Sequence, residues 1–328
     1  MNDQVAILQL MQTKGVGSRT LARALSKLTE EGRSAAELVA ASADELMQFG
    51  LKPHAARAVA TGRGTAEKIA EELDSRGVRM LVRGYPEYPA RLSRVLADEA
   101  PPVLFVAGNP ALLERRAVAL CGARDASEDG LRLTDEAARR LAARGTNVVG
   151  GHANGVDLTA HGGALAAGGT TTLVLAEGVL RFQAKPGLAE LLGDDNFAVV
   201  SEFPPRLPWS VGNAMQRNAT VCGLADVVLV IEAGQTGGTF AAAEKALALR
   251  QPLFVVEFSQ PPASAVGNAI LLRQGAQPLR YETGSEPDLT AVYQALEGNR
   301  APVGGHGRRG GTSAIVQGSL FGEAEEAE

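Results

Sequence analysis

The sequence predicts an α/β protein: a doubly wound parallel β-sheet preceded by a small all-helical domain. Two observations carry the sheet. Short apolar runs rich in β-branched residues recur through the middle of the chain, and Ala/Leu-rich helical stretches lie between several of them. Strands that are apolar throughout, separated by helices, belong to a parallel sheet covered on both faces. A third observation carries the helical domain, because up to about residue 95 the pattern is helical and nearly charge-balanced.

In chain order, apolar helical stretches at Val5–Met11 and Leu21–Leu28 flank Lys14-Gly15-Val16-Gly17, and Phe49-Gly50-Leu51-Lys52 precedes a helix at 53–60. Glycine turns between short helices, with Lys14, Arg19 and Arg23 nearby, look like a helix-hairpin-helix or SAM-like unit. Such a turn can offer backbone N–H groups to a DNA phosphate; the same residues also suit a packing unit without a ligand. The strands are expected at Val118–Leu120, Asn147–Val149, Thr171–Leu175, Ala198–Val200, Asp226–Ile231 and Leu253–Val256, with helices near 130–143, 156–167 and 239–249. Crossovers of this length suit a Rossmann-like domain. The expected division is a helical domain at 1–65, a connector and lead-in at 66–105, the Rossmann-like domain at 106–298, and a disordered tail at 299–328. That tail is Gly-rich, basic at Arg308 and Arg309 and acidic at its end, and cannot bury much.

Composition excludes some classes. The 328 residues hold 32 Lys and Arg against 37 Asp and Glu, a net charge of -5, which excludes a histone-like polyanion coat but not a local basic patch. Cys121 and Cys222 are too few for a disulfide framework or a Cys-rich zinc site, and their apolar neighbours point to buried thiols in a reducing compartment. No basic leader and no long apolar span is seen, so a cytoplasmic protein with no membrane partner is expected.

Ligands of open parallel sheets bind where strand carboxyl ends meet crossover helices. Four segments there are unusual in composition. Gly122-Ala123-Arg124-Asp125-Ala126-Ser127 offers a guanidinium and a residue that can both cap a helix and donate to an anion, but is not a dinucleotide fingerprint. Gly150-Gly151-His152-Ala153-Asn154-Gly155-Val156-Asp157 makes an amide nest ahead of a helix that carries His161. His152, Asp157 and His161 could be a metal trio or an acid–base pair; equally, Asp157 caps the loop and His161 is a satisfied core-edge residue, since no third ligand is well spaced. Gln216-Arg217-Asn218-Ala219-Thr220 reads as a third loop. Gly237-Gly238-Thr239 opens a helix and forms a second anion cradle. Together they place anion-binding features on one rim.

In order and spacing these segments resemble the DNA-processing protein A family, also called Smf. Tyr85-Pro86, Tyr88-Pro89 and Pro101-Pro102-Val103-Leu104-Phe105 resemble its lead-in, and the resemblance continues through the loops above, Ser201-Glu202-Phe203-Pro204 and Gly267-Asn268 to Gly275-Ala276. It implies a single-strand DNA binder that dimerises and loads the RecA recombinase onto DNA held by single-strand-binding protein, in DNA uptake and transformation or in repair. Its DNA-contacting positions correspond here to Arg124, Ser127, Gly151, Ala153, Arg217, Asn218, Gly238 and Thr239. The departures are Gly150 where the family has Ser, Ala219 where it has a second Arg, Phe240-Ala241 where it has Ile-Thr, and Glu257-Phe258-Ser259 where it has Pro-Gly. No counterpart of the family's common carboxyl-terminal winged helix is expected. A diverged member with weaker or altered DNA affinity is expected.

The rival is the lysine-decarboxylase-like group of nucleotide hydrolases, whose glycine motif Gly237-Gly238-Thr239 resembles. Ala242 stands where that group needs its Glu, and the nearest carboxylate is Glu244, so hydrolysis is disfavoured. No catalytic residue, metal or cofactor is expected. A scaffold that has lost DNA binding is the third class. The lone Trp209 is either packed core or a base-stacking residue. In the tail, Gln317-Gly318-Ser319-Leu320-Phe321 resembles the peptide by which bacterial DNA enzymes dock on the replication sliding clamp, with Leu320 and Phe321 filling an apolar pocket and Gln317 at its rim; a chance match is the alternative.

Overall fold

The computed structural model describes residues 2–59 and 63–298. The chain opens with six helices: α1 (Asp3–Gln12), α2 (Ser18–Glu31), α3 (Ala35–Ala40), α4 (Ala43–Gln48), α5 (Pro53–Val59) and α6 (Arg63–Ser75). Local chemistry sets several starts. Asn2 caps α1 by accepting from the Val5 amide, Ser34 and Glu37 form a reciprocal capping box on α3, and Ser42 caps α4. The buried Gln9 side chain donates to the Val59 carbonyl and ties α1 to α5.

Nine strands form one sheet: β1 (Arg79–Val82), β2 (Val103–Gly108), β3 (Ala117–Cys121), β4 (Asn147–Gly150), β5 (Thr171–Val174), β6 (Phe197–Ser201), β7 (Val227–Val230), β8 (Leu253–Phe258) and β9 (Gln277–Tyr281), in the order β1-β2-β6-β5-β4-β3-β7-β8-β9. All neighbours from β6 to β9 are parallel, whereas β1–β2 and β2–β6 are antiparallel. The connections carry α7 (Ala90–Leu96), α8 (Glu128–Ala143), α9 (Val156–Ala166), α10 (Val211–Gly223), α11 (Gly238–Ala248) and α12 (Asn268–Arg273); α13 (Thr290–Gly298) follows β9.

All six expected strands are present, but the sheet is mixed rather than wholly parallel. The difference lies at the edges. β2 is as apolar as its neighbours, yet the Pro101-Pro102 lead-in hides it. β1 is a four-residue strand with only Leu81 buried, and β9 contains Pro278 and buries alternate residues, as an edge strand does.

Alternation along the strands divides the core. Val118, Leu120 and Val148 pack with Leu133, Leu141 and Ala160 of α8 and α9. Ala119, Cys121 and Val149 pack on the other face with Val221, Phe240 and Ala243 of α10 and α11. The register puts Phe197 and Val199 on the α8–α9 side, and there they share a cluster with Phe105 and with Leu8, Leu38 and Leu73 of the helical region. The amino-terminal helices therefore extend the α8–α9 layer over β2 and β6. Cys121 and Cys222 are buried free thiols; burial raises both above the usual range, Cys222 to about 12. Among the described residues no helix is long and apolar enough to cross a membrane.

Candidate nucleic-acid interface

The parallel strands end on one rim, at the point where strand order reverses between β3 and β7. Polar side chains fix the loops there. Glu232, wholly buried just past β7, accepts from the Ser127 amide at 3.0 Å, from the Ser127 hydroxyl and from the Ser264 hydroxyl at 2.6 Å. Asn268 donates to the carbonyls of Ile231 and Val256 at 2.7 and 2.9 Å and accepts from the Ala233 amide at 2.8 Å. The Thr239 hydroxyl donates to the Gly122 carbonyl at 2.9 Å and joins α11 to the loop after β3. Gly155, at φ 71°, lies so close to the carbonyls of Ala123 and Arg124 that a Cβ would collide with both.

Arg217 and Asn218 are on α10, not in a loop. Ser210 starts that helix by accepting from the Asn213 amide at 3.1 Å, and it runs unbroken to Gly223. Its first nine residues include no buried position and several poor helix formers (Val211, Gly212, Asn213), so neither propensity nor an apolar period marks it. The Arg217 guanidinium lies over Gly151, where a Cβ would strike both it and the Asp157 carboxylate. Its Nε is buried without a hydrogen-bond partner. Arg124 is exposed, with its guanidinium 5.7 Å from the centre of the Trp209 ring. Among the described residues neither arginine forms an ion pair, in contrast to Arg91 with Asp226 or Arg206 with Glu72.

The other predicted positions hold the rim together. The Ser127 hydroxyl donates its one proton to Glu232 and accepts from the Gly130 amide at 3.0 Å, so the anion-donor role expected of it is already occupied. The Ala153 amide donates to Asp157 at 3.3 Å, and Asn218 donates to the Gly238 carbonyl at 2.9 Å. Gly238 is exposed at the first position of α11, which no side chain caps. Lys185, which the sequence reading passed over, donates to Asn154 at 2.7 Å beside the second loop. Its signal was available: a Lys before Pro186-Gly187, beyond a strand that ends on the same rim.

The cations stand in front of partly buried carboxylates. Burial raises the Glu177 and Glu202 carboxyls above their ordinary range; Arg217 opposes the shift in both, as do the Thr220 and Gln216 hydrogen bonds to Glu202. Burial lowers Lys185, and the charge of Arg124 adds to this while Asp157 and Glu177 oppose it. His152 is lowered to about 3, chiefly by burial and then by Lys185, and its ring lies 5.3 Å from that of Phe182. His161 is fully buried. A carbonyl can only accept, so its Nε2–H donates to Gly151 at 2.7 Å, while Nδ1 lies 2.6 Å from the Thr171 hydroxyl, which itself donates to the Val148 carbonyl at 2.8 Å. His161 and Asp157 thus serve the loop, and among the described residues no three His, Cys, Asp or Glu side chains gather to hold a metal ion. Ala242 is buried and Glu244 is exposed. Beside the rim, a cleft of about 1330 Å³ opens between Arg19, Arg23 and Lys27 of α2 and Met215, Asn218 and Lys245 of α10 and α11.

Residues 79–285 match the sequence family described as DNA recombination-mediator protein A. The chain is 32% identical over 191 residues to protein Smf of Escherichia coli, which covers 58% of this chain and 50% of that protein, so the chain spans about half the length of that relative. It is 31% identical over 192 residues to DNA processing protein DprA of Streptococcus pneumoniae, covering 58% of this chain and 67% of that protein. In fold it is similar to the X-ray structure of DNA processing protein A from Streptococcus pneumoniae, with a TM-score of 0.73 at 23% identity over 85% of this chain and 95% of the other. A second similar structure, at 26% identity and a TM-score of 0.54, covers 67% of this chain and 94% of DNA processing protein A from Helicobacter pylori, studied for its single-stranded DNA binding mode. With mixed α/β architecture, an amino-terminal helical region and a family match over most of its sheet, the chain belongs to the DNA recombination-mediator protein A family.

Proposed function

We propose that this protein binds single-stranded DNA along the carboxyl-end rim of its sheet and acts, without catalysis, as a recombination mediator. The observation that carries the binding is a pair of guanidiniums that make no ion pair among the described residues, Arg217 over the second loop and Arg124 over Trp209, with Lys185 on Asn154 of that loop. Successive cations and free helix-start amides on one rigid edge suit successive phosphates of a strand. In this reading Gly238 and Thr239 bring backbone close to those phosphates, Gly151 leaves room for the Arg217 guanidinium, and Ala153, Ser127 and Asn218 hold their loops in place. The strand order, which reverses between β3 and β7 with helices on both faces, supports the Rossmann-like description of residues 106–298.

The same reading gives the protein RecA and single-strand-binding protein as partners, a homodimer as its working form, and DNA uptake or repair as its setting. Docking on the sliding clamp through Gln317, Leu320 and Phe321 belongs to it too; those residues lie outside the described ones. The test is the anisotropy of labelled single-stranded oligonucleotides of increasing length, with mononucleotide and duplex as competitors. Affinity should rise with length and resist the mononucleotide. A protein that binds the mononucleotide and ignores the oligonucleotides is a nucleotide-binding member of this fold, and the proposal fails.

A further inference from the structure

Exposed large apolar side chains are few, and three of the six among the described residues fall within one short stretch: Trp209 at 48% exposure, Val211 at 68% and Met215 at 41%. Val211 and Met215 are four residues apart and share a face of α10. Trp209 stands just before that helix and is held firmly. The Asn213 side chain donates to the Pro208 carbonyl at 3.3 Å, Ser210 caps the helix, and Leu207 exchanges backbone bonds with Pro204 and Gly178 at 2.8 Å. The indole is thus presented to solvent with one face toward the Arg124 guanidinium.

We infer that this edge, Trp209, Val211 and Met215, receives the unstacked bases of a single strand whose phosphates lie on Arg124 and Arg217. The inference rests on the single-stranded DNA reading above and adds what that reading lacks, a reason to prefer single strands. Cations on a rim attract any phosphate backbone, duplex included. Bases in a duplex are stacked on each other and cannot reach an indole, whereas those of a single strand can. An aromatic platform is also tolerant of sequence, since every base has a π-face. Arg124 serves both parts, as a charge for the backbone and as the inner layer of the stack. Met215 also lines the cleft beside α2, which Arg19, Arg23 and Lys27 flank, so a strand that passes Trp209 continues past further cations.

The chain contains one tryptophan, so its emission reports this edge alone. The full chain would be titrated with an end-labelled oligothymidylate and with an abasic oligomer of equal phosphate number, reading label anisotropy and tryptophan emission together. The expected result is that oligothymidylate quenches the emission, while the abasic strand binds about 5- to 150-fold more weakly, the range of a base–aromatic stack, and leaves the emission unchanged. Trp209→Ala should lose affinity for oligothymidylate in the same range but keep its affinity for the abasic strand, and Trp209→Phe should keep most of both. Equal binding of both strands, with unchanged emission and no effect of Trp209→Ala, overturns the inference and leaves single-strand binding standing. If neither strand changes its anisotropy, single-strand binding itself fails and takes the inference with it.

Discussion

Arg217 reaches the rim because position 151 has no side chain, and among the described residues none of the carboxylates around it closes to an ion pair. Gly151→Val should displace the guanidinium and mimic Arg217→Ala. Both variants are expected to bind oligonucleotide about tenfold more weakly at moderate salt, with circular dichroism unchanged, since one charge-assisted phosphate contact is lost. The buried histidines set a pH dependence. Burial holds His152 and His161 below the ordinary value of about 6.5, so both are neutral in the fold. The unfolded chain takes up protons near 6.5 while the fold resists. Stability is therefore full above that pH and falls below it, by up to about 1.4 kcal/mol per pH unit for each histidine. Glu177 and Glu202 act in the opposite sense: their raised carboxyls make the folded state bind protons more readily, which favours it on acidification. Thermal melts between pH 6.5 and 5 should show a shallower loss for His152→Phe than for the parent protein.

At the scale of elements, the rim is a set of loops pinned from behind. Asn268 spans the ends of β7 and β8 with three hydrogen bonds, and Glu232 gathers three donors from two other segments. Asn268→Leu strands the Ala233 amide and two carbonyls, so its urea unfolding free energy should fall by about 2–4 kcal/mol. Little of this pinning is legible beforehand. Asn268 belongs to a recognisable Gly-Asn pair, but its three partners lie at Ile231, Ala233 and Val256, and sequence distance carries no sign of them. The central strands are legible because both faces are buried and their composition is uniformly apolar. α10 is not, because its first turns are exposed and lie beside the rim instead of on the core, so Arg217 and Asn218 read as loop.

For the whole molecule, a net charge of -5 means that any affinity for DNA must come from local arrangement rather than from global attraction. Arg124 and Arg217 are legible in the sequence through their place in ordered motifs; in the fold Arg217 lies over Gly151 and Arg124 over Trp209. Lys185 is less legible, because it stands in an irregular segment and joins the rim through its hydrogen bond to Asn154, 31 positions away. Lys185→Ala should accordingly weaken oligonucleotide binding and its salt sensitivity, without shifting the melting temperature. The central claim is that Arg124 and Arg217 neutralise phosphates of a single strand. Its most direct test is the salt dependence of oligothymidylate affinity, compared between the parent protein and Arg124→Ala/Arg217→Ala. Each phosphate contact contributes about 0.7 to the slope of log affinity against log salt for single strands. The account predicts weaker binding and a slope shallower by about 1.4 in the double variant. An unchanged slope and affinity would contradict it and place the strand elsewhere on the protein.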